Sequence, residues 1–241
     1  MTSIKDEKGF NQSFKKSPAQ EIRINRRFDY MIRQMDPTKF NASTNVLEIG
    51  CAEGDGIHYM VNKIGVTGLG IDISKKFIDA ANQNYRSDKL TFEVADFNDP
   101  KSFSGEMAYD KFDYVVGNGI LHHLYYNLDN SLVNLRKLLK PKGKIIFIEP
   151  NIYNPYVALI FQIPFLRKKT FLEPDEMAFS ATFIKKKIMA AGFSYCRTEI
   201  QDFLLPNVPE GLISPVIKLG AVLEKTPLTY IAQSIFITAE K

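Results

Sequence analysis

The sequence predicts an α/β domain with a mostly parallel sheet and helices on both faces. Three observations carry this expectation. From Asn45 onward, short apolar runs alternate with helical patterns, and strands that alternate with helices pair in parallel through crossovers. The first run, Val46-Leu47-Glu48-Ile49, opens into a glycine-rich turn, Gly50-Cys51-Ala52-Glu53-Gly54-Asp55-Gly56. Such a turn lets a ligand approach the backbone and the free N–H groups of the following helix. The second run ends on an acid, Asp72, about 20 residues beyond the turn, which is the tip of the neighbouring strand in a sheet of this kind.

The elements follow in order. Residues 1 to about 25 read as loosely structured. A helical pattern from about Glu21 to Met35 has Ile22, Phe28, Ile32 and Met35 as its apolar face, and Pro37 ends it. After Val46–Ile49 come a helix to about Lys63, a strand Gly68–Ile71, a helix Lys75–Tyr85 and a strand Leu90–Val94. A fourth strand, Phe112–Val116, precedes a helix over about Leu128–Leu139, and Pro141-Lys142-Gly143 turns into a fifth strand, Lys144–Ile148. The aromatic, proline-containing stretch 151–180 reads as a lid inserted after strand five. Phe183–Ala191 is a helix closed by Gly192, Tyr195–Phe203 and Ser234–Ala239 are closing strands, and a helix over about Ile213–Leu223 lies between them. The expected division is an N-terminal helical extension, 1–40, and a main domain, 41–241.

Composition narrows the class. With 241 residues, 45% of them apolar and 24% charged, the chain can bury a sizeable core as one domain with a small lid. A net charge of +4 falls far short of the footprint of a strong nucleic-acid binder. Cys51 and Cys196 have no metal-ligand spacing and read as reduced thiols, so no metal is expected and the expected location is cytoplasmic. Met1 to Phe10 has no apolar core of a secretory signal. The longest apolar run, Ile152 to Leu166, is interrupted by Asn154, Pro155, Gln162 and Pro164 and is too short to span a bilayer.

The dinucleotide fingerprint G-x-G-x-x-G fails, because its later glycine positions hold Ala52 and Asp55. The pattern E-x-G-x-(G/A)-x-G fits from Glu48 to Gly54, with Ala52 in the place of the middle glycine. Strand three runs into Val94-Ala95-Asp96-Phe97. Strand four gives Phe112-Asp113-Tyr114-Val115-Val116-Gly117-Asn118 and then Leu121-His122-His123-Leu124. A K-P-x-G-x-I-x-x-x-E-P pattern covers Lys140 to Pro150. In this order, over about 45–151, these motifs resemble the class I S-adenosylmethionine (SAM)-dependent methyltransferases of the small-molecule type. The resemblance implies a Rossmann-like, mostly parallel seven-stranded sheet whose last strand is antiparallel, and SAM as cofactor, leaving as S-adenosylhomocysteine. It implies cofactor contacts at Glu48, Gly50, Cys51, Ala52 and Gly54 in the first motif. Asp72, with Ile73, would hold the ribose; Asp96 would hold the adenine amino group, with the Phe97 backbone against the ring. Asn118 would lie near the methionine moiety. An alternative for Asp72 is that it or Ser74 caps the next helix.

The two histidines would sit over the cofactor, and His123, ahead of His122, is the candidate general base. The alternative is that they cap a helix or pack beneath the lid. The implied reaction is an in-line displacement in which the protein supplies orientation and desolvation, and a base is needed only where the acceptor must lose a proton. Arg167-Lys168-Lys169 and Lys185-Lys186-Lys187 read as solvated faces or as recognition of an anionic acceptor or acidic membrane surface. Tyr153, Tyr156, Phe161, Phe165 and Phe171 read as lid core or as the wall of an apolar acceptor pocket. The leading partner is a small-molecule acceptor, anionic, saccharide-like or lipid-like. The competing readings are methylation of RNA or protein, disfavoured for amino groups because Gly119 follows Asn118, and a non-catalytic SAM-binding protein. An NAD-dependent oxidoreductase comes last.

Overall fold

The computed structural model describes residues 17–99, 102 and 109–241. The expectation for residues 1–16 therefore lies outside the described residues. The chain enters through helix α1 (Pro18–Arg33), which Ser17 caps by accepting a hydrogen bond from the Gln20 N–H, with Pro18 at the first helical position. The apolar face differs from the expected one. Ile22 is exposed, and the buried stripe runs through Ala19, Arg23, Arg27, Phe28, Met31 and Ile32. The helix ends at Arg33, and Pro37 instead opens a short 3-10 turn, Pro37–Lys39.

The alternating units follow as β1 (Asn45–Ile49), α2 (Asp55–Ile64), β2 (Thr67–Asp72), α3 (Lys75–Tyr85), β3 (Leu90–Val94), β4 (Phe112–Asn118) and α4 (Leu128–Leu138). Next are β5 (Leu139–Pro150), α5 (Pro155–Gln162), α6 (Pro164–Lys169), α7 (Ala181–Ala190), β6 (Tyr195–Gln201), α8 (Glu210–Leu223) and β7 (Ser234–Glu240). The seven strands lie in the order β3-β2-β1-β4-β5-β7-β6. β1 to β5 pair in parallel, and β7 runs antiparallel to both β5 and β6. This is the Rossmann-like sheet with an antiparallel last strand that the sequence motifs implied. One turn was misread: Pro141-Lys142-Gly143 stays within β5, where Lys142 adopts φ +62° and the pairing with β4 shifts register between Phe112 and Tyr114.

Helices cover both faces, so the central strands are apolar on both sides. On one face Phe28 and Met31 of α1, Ile57 and Met60 of α2, and Ile78 and Ala81 of α3 pack against Val46, Val116, Ile146 and Ile148. On the other, Leu132 and Leu135 of α4 and Ile184 and Ile188 of α7 pack against Leu47, Val115, Phe147 and Ile237. Helix α1 thus belongs to the main core. Helix α8 packs on it through Ile213, Ala19 and Leu204. Among the described residues no helix is long and apolar enough to cross a membrane, and both cysteines are free and buried.

Candidate active site

A cleft with a cavity of about 240 Å³ runs along the carboxyl ends of β1 to β5 and is roofed by the segment after β5. Gly50 begins its floor at φ +66°, and a Cβ there would come within 2.7 Å of Ile120 Cδ1, so both backbone and packing demand glycine. Ala52 also lies in the left-handed region, at φ +47°, a cost of about 1–2 kcal/mol for an L-residue. Its N–H donates to Asp72 Oδ2 at 3.0 Å, which pins the strained turn to the neighbouring strand. Asp72 Oδ1 accepts from the Ser74 N–H at 2.9 Å. Burial raises the Asp72 pKa above the usual carboxylate value despite these bonds. The side chain that caps α3 is Ser74, which accepts from Phe77 N–H, so capping does not explain Asp72. Asp72 lines the cleft, as do Asp96, Ile73, Phe77, Ala95 and Phe97. Asp96 Oδ1 accepts from the Asn98 N–H at 2.9 Å. An acid with lone pairs left over beside a set of apolar walls fits an adenosyl group: the acid can accept from a diol and the walls can sandwich a base.

Three residues of the first motif do not line the cleft. The buried Glu48 turns beneath the turn and accepts the Ile57 N–H of α2 at 3.0 Å, and burial holds its pKa well above the usual range. Cys51 is buried just past the end of the central strand β1, with its N–H donating to Ile71 O at 3.0 Å. Gly54 begins α2 at φ +87°, and a Cβ there would meet Phe92 Cε1 at 2.6 Å. Their residue types fit the architecture of the turn, and of the contacts expected in the first motif it is Gly50 and Ala52 that line the cleft.

The histidines stand on a 3-10 segment, Leu121–Asn127, whose start is organised by Glu149 from the end of β5. Glu149 Oε1 accepts from the N–H groups of Ile120 (3.0 Å) and Leu121 (2.8 Å), and Oε2 from the His122 N–H (3.2 Å). His122 Nδ1 donates to Oε2 at 2.9 Å, and its Nε2 lies 3.5 Å from Glu176 Oε2. Burial pulls the His122 pKa down, but Glu149 and Glu176 outweigh it and raise it to about 9. His123, its ring centroid 4.2 Å from that of His122, is driven the other way. Burial and the adjacent imidazolium lower its pKa to about 4, although Glu176 Oε1 lies 3.3 Å from its Nδ1. Burial works to raise the Glu176 pKa, and the two histidines hold it below the usual value. Two neighbouring imidazoles are thus split into one charged and one neutral group. His122, His123 and Glu176 also bring one ligand atom each within 4.8 Å of one another. Without an ion the same atoms form an ion-paired network, His122 set between Glu149 and Glu176 and His123 beside Glu176.

Two site residues carry no motif. Arg23 and Arg27, one turn apart on α1, both line the cleft. Arg27 Nε and NH2 each lie 3.1 Å from Asp202 Oδ2, NH2 donates to Ser234 Oγ at 2.7 Å, and NH1 donates to Asn118 Oδ1 at 3.0 Å. The sequence signal for them is two arginines at i and i+4 on the same face as Phe28 and Met31.

The roof is built by α5, α6 and the loop to Phe179. Tyr156, Val157, Ile160, Phe161, Leu172 and Glu176 face the cleft. Of the aromatic stretch, Tyr156 and Phe161 reach the cleft, whereas Tyr153, Phe165 and Phe171 are exposed. The basic runs divide as well. Arg167 is internal bracing, its guanidinium donating to the carbonyls of Phe161, Glu173 and Glu176. Lys168, Lys169, Lys185 and Lys186 are exposed, and Lys187 pairs with Asp129.

Residues 40–202 match the family described as a methyltransferase domain. Among curated relatives, the hybrid PKS-NRPS synthetase thnA of Trichoderma harzianum is 33% identical over 117 residues, 46% of this chain and 3% of that protein. Phosphoethanolamine N-methyltransferase 1 of Triticum aestivum is 32% identical over 114 residues, 46% of this chain and 22% of that protein. The chain spans a small part of the length of these relatives. A SAM-dependent methyltransferase from Archaeoglobus fulgidus has the same fold, with a TM-score of 0.65 at 19% identity, covering 96% of this chain and 98% of that one. So does Haemonchus contortus phosphoethanolamine N-methyltransferase 2, solved with phosphomonomethylethanolamine and S-adenosylhomocysteine, with a TM-score of 0.62 at 16% identity over 89% of this chain and 52% of that one. The motifs, the sheet order and a family match over most of its length place the chain in the class I SAM-dependent methyltransferases.

Proposed function

We propose that this protein transfers the methyl group of SAM to a small-molecule acceptor held between the tips of β4 and β5 and the roof formed by residues 151–180. The observation that carries this reading is one continuous cleft lined by Asp72 and Asp96 at one end and by His122, His123, Tyr156 and Phe161 at the other. When bound, SAM supplies an electrophilic methyl on a sulfonium. Asp72 would accept hydrogen bonds from the ribose hydroxyls, Ile73 and Phe97 would lie against the base, and Asp96 would take its amino group. The Gly50–Ala52 turn would let the cofactor approach the backbone, and Asn118, held by Arg27, would meet the methionine portion. Phe161, Ile160 and Leu172 exclude water, which strengthens every electrostatic contact beneath them.

The neutral His123 would take the acceptor's proton as the acceptor bonds the methyl carbon and the bond from that carbon to sulfur breaks, releasing S-adenosylhomocysteine. The His122–Glu149 pair fixes the segment on which it stands. The proton passes to the His123 imidazole, where Glu176 offsets the charge that develops. The test is turnover of methyl-labelled SAM with a metabolite extract, followed by mass detection of the methylated product. His123→Ala should lower kcat roughly 10²–10⁴-fold with S-adenosylhomocysteine affinity nearly intact. Full activity in that variant would reduce His123 to a packing residue, and absence of any methylated product would leave a SAM-binding protein without catalysis.

A further inference from the structure

Arg23 is 3% exposed and lines the cleft, yet among the described residues its hydrogen-bond partners are neutral, and Asp202, bonded to Arg27, acts on it only through its field. Its NH1 donates to Gln20 Oε1 and its NH2 to Gln233 Oε1 at 3.1 Å, while Nε has no acceptor among the described residues. The neighbouring Arg27 differs on this point, because Asp202 neutralises it. A guanidinium offers five donors, and an uncompensated buried charge is costly to keep. Neutral amides orient such a fork without cancelling its charge, whereas a carboxylate partner would do both. Burial and the repulsion of Arg27 outweigh the attraction of Asp202 and lower the Arg23 pKa to about 9, which leaves the group cationic at neutral pH with no carboxylate bonded to it among the described residues.

Position says which ligand this charge meets. Gln233 immediately precedes β7, and Tyr156, which lines the same cleft as Arg23, stands on α5 after β5. Asp72 and Asp96 stand at the tips of β2 and β3, on the other side of β1 and β4 in the sheet. The cation is therefore in the half of the cleft left to the acceptor. We infer that Arg23 is the recognition point for an anionic group of the methyl acceptor, a carboxylate or a phosphate, received in a fork that Gln20 and Gln233 hold in place. This rests on the methyltransferase reading above and narrows its substrate class to anionic small molecules.

The probe is inorganic phosphate, titrated by calorimetry into the full chain saturated with S-adenosylhomocysteine. Phosphate should bind the saturated protein, and Arg23→Gln should weaken it by about 10-fold or more, the loss expected for a charge-assisted contact. The same variant should bind S-adenosylhomocysteine within about twofold of wild type, since that contact is made elsewhere. If Arg23→Gln does not fold, Arg23→Lys, which keeps the charge and loses the fork, should still weaken phosphate measurably. The inference is overturned if the saturated wild-type protein binds no phosphate, or if the folded variant binds it equally. It is also overturned if the variant loses S-adenosylhomocysteine instead, which would assign Arg23 to the methionine carboxylate. A wild-type protein that binds no S-adenosylhomocysteine fails at the earlier step, and that outcome removes the methyltransferase reading itself.

Discussion

His122 and His123 are neighbours in the chain with opposite charge states, because one is clasped by two carboxylates and the other is buried beside the resulting imidazolium. Two pH dependences follow. His122 holds its proton more tightly folded, to about pH 9, than in the unfolded chain, where about 6.5 is usual. Its contribution to stability is complete below about pH 6.5 and is lost as pH rises through about 9. Wild-type Tm should therefore fall more steeply from pH 6.5 to 9 than that of His122→Asn, and equal slopes would show that His122 carries no such charge. His123, lowered to about 4, is already the free base at neutral pH. The kcat/KM profile should then stay level from about pH 8 to about pH 5, whereas a rise through about 9 would make His122 the base. Asp72, Asp96 and the two histidines were legible because each follows directly from a strand end. Arg23, Arg27 and Glu176 were not, since their role depends on which distant elements meet: α1 reaches Asp202 across the fold, and Glu176 returns beneath its own roof helices.

At the scale of elements, the roof is tied at its base by asparagines. Asn151 donates to the carbonyls of Tyr230 and Ala232, and Asn154 both caps α5, accepting from the Val157 N–H at 3.0 Å, and donates to Ile231 O at 2.7 Å. Losing a cap together with a partly buried hydrogen bond costs about 1–2 kcal/mol, so Asn154→Ala should loosen the roof more than the sheet. Amide exchange should show faster exchange across 151–180 in that variant, and slower exchange in wild type once S-adenosylhomocysteine is present. Identical protection with and without the ligand would make the segment fixed structure and no lid. Helices with strong local caps were readable to the residue, as with Lys75–Tyr85 behind Ser74. The misreadings arose where tertiary contacts overrode local signals. Pro141–Gly143 form an irregularity within β5 between the paired residues Leu139 and Lys144, where a Cβ on Gly143 would meet Lys140 O at 2.9 Å, and the packing of α1 rotates Ile22 outward while burying two arginines.

For the whole molecule, the strand order reverses direction between β1 and β4, and this is the position at which open α/β sheets bind ligands. The carboxyl ends there divide the cleft into a half over β2 and β3 with acids and apolar walls, and a half over β5 and β7 with histidines and arginines. The first half would hold the adenosyl group through Asp72. Calorimetric titration of S-adenosylhomocysteine into wild type and Asp72→Ala, with NAD as the control ligand, tests it most directly. Wild type should bind S-adenosylhomocysteine and not NAD, and the variant should lose about 1.5–3 kcal/mol, roughly 10- to 150-fold in affinity, with the loss of charge-assisted hydrogen bonds. Equal affinity in a folded Asp72→Ala, or preference for NAD, would contradict the account.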